Sequence, residues 1–179
     1  SGGTVTYGYN ELNVKKQLTN ARGQTREYFY DAAGRITGYV GAEDSVSYTY
    51  DENGNVLTVS DKNGTVKREY DALNRITKYT DTFGNEIDYM YDRVGNMVRL
   101  IYPDNTEVYY MYDGNRNLVA VIDWNSIDTN YVYDENNNLI RMSRSDGAYA
   151  TTVYDDAQRV ISREEYNRCG QRILAYSYE

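Results

Sequence analysis

The chain contains no histidine, one cysteine, one proline, one tryptophan and two phenylalanines. Without histidine there is no Ser-His-Asp arrangement, no imidazole metal ligand and no imidazole proton shuttle, which removes the commonest catalytic machinery. The single cysteine, Cys169, can form neither an intramolecular disulfide nor a thiolate metal site by itself. No base neighbours it in sequence, so it reads as a small apolar residue near an irregular turn. Runs of about 18 apolar residues, the length a spanning helix needs, are missing. The N-terminus lacks the basic-then-apolar pattern of a signal peptide, and Ser1-Gly2-Gly3 reads as a cloning scar or linker. Phosphate-cradling glycine loops do not occur. Basic clusters are scarce as well: 19 Lys+Arg against 27 Asp+Glu leave a net charge of -8, which argues against a nucleic-acid partner and mainly supplies solubility. These absences predict a chain that is not an enzyme and holds neither metal nor cofactor.

What the chain has instead is tyrosine, 22 of them. Seven stand before an aspartate: Tyr30-Asp31, Tyr50-Asp51, Tyr70-Asp71, Tyr91-Asp92, Tyr112-Asp113, Tyr133-Asp134 and Tyr154-Asp155, at spacings of 20, 20, 21, 21, 21 and 21 residues. Degenerate copies at Tyr9-Asn10 and Tyr178-Glu179 extend the pattern to both ends, so residues 4–179 read as a single array of about eight repeats. Four residues after each tyrosine comes Asn13, Gly34, Gly54, Asn74, Gly95, Arg116, Asn137 or Gln158, mostly the types that adopt positive φ at least cost. An aspartate opening such a segment can cap the turn with its own side chain. A second punctuation falls fourteen after the tyrosine, at Gly23, Asp44, Gly64, Gly84, Asn105, Ser126 and Gly147, with Gly170 displaced by two. Two turns per repeat leave segments of strand length, too short for helices. The fold class is therefore all-β, a stack of hairpins.

Alternation assigns the faces. The residues two and four before each repeat tyrosine, such as Tyr48 and Val46 before Tyr50, lie on its side of the strand. The intervening column, including Ser47, Lys67, Asp88 and Asn130, is mostly polar. One face is expected to be packed and the other wet. A lone hairpin is marginal in water, so neighbouring repeats must supply the missing hydrogen bonds and apolar cover.

The units YDAAGRITGYV, YDENGNVLTVSDKNG, YDALNRITKYTDTFGNE and YDRVGNMVRL closely resemble the YD repeats of the Rhs family, and the likeness spans essentially the whole chain. Arg35, Arg75 and Arg159 keep the family's arginine, while Asn55, Asn96, Asn117 and Asn138 replace it. The resemblance implies a curved antiparallel sheet, a fragment of a spiral β-shell. In bacterial Rhs proteins and insecticidal toxin complexes such shells enclose a toxin domain, and in teneurins a similar shell serves cell-surface adhesion. Implied partners are the rest of the parent shell and an enclosed effector; the implied setting is secreted or cell-surface, and bacterial.

Two functions follow from this reading: a structural shell segment that carries an effector, and an adhesion module that binds carbohydrate or protein through exposed aromatics. The repeat Tyr and Asp residues, with Gly34, Gly54 and Gly95, are read as structural. Tyr102, Tyr109 and Trp124 are the candidates for binding, including glycan. Adjacent acid pairs Asp155-Asp156 and Glu164-Glu165 point to opposite strand faces, and loops 51–55 and 134–138 read as hydrogen-bonded turns rather than calcium loops. Exposed sheet edges predict edge-to-edge self-association at high concentration, measurable by light scattering.

Overall fold

The computed structural model describes residues 4–11 and 13–178. The expected scar Ser1-Gly2-Gly3 and the acid of the last degenerate copy, Glu179, lie outside them. The described residues contain strands and turns and no helix, an all-β antiparallel architecture. The chain divides into two compact units, one ending at Ile87 and the other starting at Asp88.

In the first unit the strands are β1 (Thr6–Tyr9), β2 (Lys15–Thr19), β3 (Thr25–Tyr30), β4 (Ile36–Gly41), β5 (Ser45–Tyr50), β6 (Val56–Asp61), β7 (Gly64–Tyr70) and β8 (Ile76–Thr80). Each pairs with the next in sequence, from β1 with β2 through β7 with β8. In β5 the alternation is clean: Val46, Tyr48 and Tyr50 are half-buried, whereas Ser45, Ser47 and Thr49 are exposed. Tyr28 faces Tyr39 at 6.0 Å on the tyrosine side, with the Lys15 ammonium 4.2 Å from one ring and the Arg26 guanidinium 4.3 Å from the other.

β9 (Glu86–Tyr91) leads into the second unit, where it pairs with β10 (Met97–Ile101) through residues 88–91. β11 (Glu107–Tyr112), β12 (Leu118–Ile122), β13 (Asp128–Tyr133), β14 (Leu139–Arg144), β15 (Tyr149–Tyr154), β16 (Val160–Tyr166) and β17 (Arg172–Ser177) follow in the same consecutive antiparallel order. The most buried apolar residues, Leu100, Val108, Ala120 and Ala150, belong to this unit. Its other face departs from the wet surface expected. Met90, Met111, Val132 and Val153, each the residue before a repeat tyrosine, are 45–49% exposed and recur once per repeat. Neither sequence column used to assign the faces includes this position.

The turn columns behave as their residue types predict. All eight residues four after the repeat tyrosine have positive φ, from 58° at Asn13 to 99° at Gly95. In the fourteen-after column Gly23, Gly64, Gly84, Asn105, Ser126 and Gly147 do the same, as does the displaced Gly170. Asp44 is the exception. Its hairpin closes through the Gly41 amide donating to the Asp44 carbonyl at 2.7 Å, and no left-handed residue is used there. Arg116 stands out as a bulky side chain held at φ 69°. Replacing it with glycine relieves a conformation costing an L-residue about 1–2 kcal/mol, partly offset by the greater freedom of glycine when unfolded. Arg116→Gly should therefore stabilise the chain by about 0.5–1 kcal/mol in urea unfolding.

Candidate functional site: tyrosine clips, aspartate turns and an aromatic corner

Each repeat is built around one irregularity. The ladder between paired strands slips next to the repeat tyrosine, as in β11–β12, where Met111 faces Ala120 but Tyr112 faces Leu118, leaving Val119 as a bulge. The same shift recurs at Tyr30, Tyr50, Tyr70, Tyr133 and Tyr154. Beyond the bulge the pairing to the following strand stops. The β12–β13 ladder ends at Ala120 opposite Asn130, and the Leu118 carbonyl lies past that end.

The hydroxyl of the next repeat's tyrosine fills the gap. Tyr133 donates to the Leu118 carbonyl at 2.9 Å, Tyr112 to Met97 at 3.0 Å and Tyr154 to Leu139 at 3.2 Å. In the first unit Tyr30 donates to Lys15 at 2.7 Å, Tyr50 to Ile36 at 2.6 Å and Tyr70 to Val56 at 3.0 Å. The acceptor is always the residue six after the preceding repeat tyrosine. A carbonyl left over by a bulge would otherwise lack a protein partner, so the clip satisfies backbone while fastening one hairpin to the next. Burial raises the pKa of Tyr112 and Tyr133, which keeps both hydroxyls protonated as donors.

The aspartate beside each tyrosine shapes the turn. Asp31 Oδ1 accepts the Ala33 and Arg35 amides at 3.0 and 2.9 Å, and its Oδ2 accepts Arg35 Nε at 2.7 Å. Asp71 does the same with Leu73 and Arg75, and Asp155 with Ala157 and Arg159. Where asparagine replaces the arginine, its side-chain amide takes over, as Asn55 does toward Asp51 at 2.8 Å and Asn138 toward Asp134 at 3.0 Å. Asp92 and Asp113 carry the equivalent bonds to Asn96 and Asn117. Side-chain bonds from Arg35 and Arg75 hold the Asp31 and Asp71 carboxyls below the ordinary range; side-chain amides do so for Asp51 and Asp134. Gly34, Gly54 and Gly95 supply the left-handed residue in their turns.

Several of these turns also reach across repeats. Arg35 donates Nη1 to the Asp51 carbonyl at 3.0 Å and lies over the Tyr50 ring at 4.7 Å. Asn74 Oδ1 accepts from Asn53 and Asn55 at 3.0 and 2.7 Å, and Asn137 Oδ1 from Asn115 and Asn117 at 3.2 and 2.8 Å. Glycine at 74 or 137 would serve the backbone but lose this bridge. Sequence reasoning missed a second set of side-chain caps, Asn20, Asp81, Asp123 and Asn167, which close the other row of turns; only Asn167 follows a tyrosine, Tyr166. The pattern Asp81-Thr82-Phe83-Gly84-Asn85, which mirrors Asp51-Glu52-Asn53-Gly54-Asn55, was the available signal.

Of the three aromatic candidates, the structure brings two together. Tyr102 and Trp124, from consecutive turns on one side of the second unit, meet edge to face with centroids 5.8 Å apart and planes at 85°. Tyr109 stands elsewhere. It lies one residue from Tyr110 on β11 and therefore on the opposite face, where its hydroxyl donates to Glu107, itself ion-paired with Arg99, whose guanidinium is 5.3 Å from the ring.

The teneurin YD-shell family model matches residues 8–179. The chain belongs to that family. Among solved structures, the YD shell fold is shared with the crystal structure of a TcdB2–TccC3–Cdc42 complex, at a TM-score of 0.63 and 14% identity over 98% of this chain and 13% of the other. The Tc holotoxin pore of Photorhabdus luminescens gives 0.64 and 14% over 99% and 13%, and a TcdB2–TccC3 structure gives 0.62 and 14% over 98% and 14%. The chain thus spans about one-eighth of these shell proteins. A search among curated proteins finds no match. As a YD-shell segment, the chain has tyrosine clips and aspartate turns at the recurring contacts of its wall.

Proposed function

We propose that the chain is a segment of the wall of a secreted or cell-surface bacterial shell that encloses and carries an attached effector domain. The observation that carries this reading is the uniform clip. The same hydroxyl-to-carbonyl bond fastens one hairpin to the next in both units, so further repeats of the same sequence extend the wall by the same contacts. Family membership and the small share of each toxin-complex chain that this segment spans support a longer enclosure. The role is steric. Strand pairing gives rigidity, the clips give cohesion, and the acid and amide side chains of the repeat turns are engaged in closing them.

Limited proteolysis of the parent protein tests the proposal. A domain encoded beyond the repeats is expected to resist protease in the intact protein and to be cleaved quickly once the shell is unfolded. Cleavage at the rate of the isolated domain would overturn enclosure and favour the adhesion reading.

A further inference from the structure

The Tyr102–Trp124 corner is built on the second row of turns, with Trp124 directly after the Asp123 cap. It lines an open hollow on the second unit together with Pro103, Asp104 and Thr106. Trp124 is 56% exposed, a large apolar surface on a turn that backbone geometry alone does not require. Its ring and that of Tyr102 stand almost perpendicular and present two π-surfaces to one corner. Asp104 supplies negative charge at the rim, and none of the five lining residues is basic. The Thr106 amide and hydroxyl both donate to Asp104 Oδ1, at 3.0 and 2.6 Å. These bonds fix the carboxylate and commit the one hydroxyl donor of Thr106.

From this arrangement we propose that the corner is a binding site for a quaternary ammonium group of the choline type. Perpendicular aromatic faces attract a diffuse cation through their quadrupoles, its methyl groups pack against the rings and Pro103, and Asp104 balances the charge. A sugar fits the same surface less well. It needs a flat ring on which to lie and a fan of free hydrogen-bonding groups, whereas the rings meet at 85° and the Thr106 hydroxyl is already used. The overall charge of -8 favours cations further. Hydrogen bonds from the Thr106 side chain and amide hold the Asp104 carboxyl below its ordinary range, so the anion persists in mildly acid solution. This inference stands independently of the enclosure reading.

Trp124 is the sole tryptophan, so its fluorescence reports on this corner alone. Choline chloride is expected to change the emission saturably, beyond the effect of sodium chloride at equal ionic strength. Asp104→Asn should weaken binding about fivefold, the effect of one charge about 4 Å away in water. Tyr102→Ala should weaken it about three- to fivefold by removing one ring face. Circular dichroism confirms that each variant keeps its strands. The proposal is overturned if choline gives no saturable response, if the uncharged carbon isostere of choline binds as tightly, or if an N-acetylglucosamine oligosaccharide saturates the signal and choline does not.

Discussion

Changing Tyr112 and Tyr133 together to phenylalanine is expected to destabilise the second unit by about 2 kcal/mol, read as a fall in the urea midpoint at unchanged m-value. Each phenylalanine keeps the ring and removes only the hydroxyl that donates to Met97 or Leu118. A net protein hydrogen bond contributes about 1 kcal/mol, and a carbonyl stranded beyond the end of its ladder raises the loss toward the upper end of that range. The two clips engage different acceptors one repeat apart, so the single losses should add closely. Tyr178→Phe serves as the control. That residue is 57% exposed, and its loss should stay within about 0.5 kcal/mol. If the double variant matches the control, the tyrosines act through ring packing alone and the clip contributes nothing measurable.

Acid should loosen the array through its aspartate turns. For Asp31 and Asp71 the bond from the arginine side chain is the largest cause of the lowered pKa; for Asp51, Asp81 and Asp134 it is the asparagine side chain; for Asp155 it is the Arg159 amide. Each carboxyl lies below its ordinary value of 3.8 when folded. The sign follows directly. A depressed folded pKa gives stability that is complete above the unfolded value and is lost as pH falls through the folded one. The urea midpoint should therefore stay nearly flat from about pH 7 to 5 and fall steeply below the ordinary carboxylate range. Because these groups face solvent, salt should shrink the effect. Asp51→Asn and Asp134→Asn keep an Oδ1 acceptor for the backbone amides and remove the titrating charge, so the variant carrying both should show a shallower acid decline. An unchanged decline would place the acid sensitivity elsewhere.

Much of this construction was legible in the amino-acid order. The period of Tyr-Asp, the recurrence of Gly or Asn four residues on, and the second row of turns follow from local chemistry, because positive φ and side-chain capping are decided within five residues. Even Arg116 and Gln158, unfavourable in type, take the left-handed conformation dictated by their place in the repeat. The clips were not legible. A tyrosine hydroxyl reaching a carbonyl 14 or 15 residues earlier depends on where one ladder stops and on a one-residue slip in another, neither of which composition reveals. The Asn53–Asn74 bridge is hidden for the same reason, since it spans a whole repeat. Faces were half legible: the tyrosine side follows from alternation, but the exposed row Met90, Met111, Val132 and Val153 occupies a column judged by neither rule. At the aromatic corner, alternation already set Tyr109 on the face opposite the repeat tyrosines, but the meeting of Tyr102 with Trp124 joins two turns about one repeat apart and was not legible.

The most direct test of the clip is tyrosine nitration with residue-level mass spectrometry on the folded chain. Tyr50, Tyr70, Tyr112 and Tyr133, half-buried and donating to backbone carbonyls, should label slowly, while Tyr7, Tyr176 and Tyr178, 49–57% exposed, should label quickly. Equal, rapid labelling of the repeat tyrosines would contradict the clip and make that column an accessible aromatic ladder.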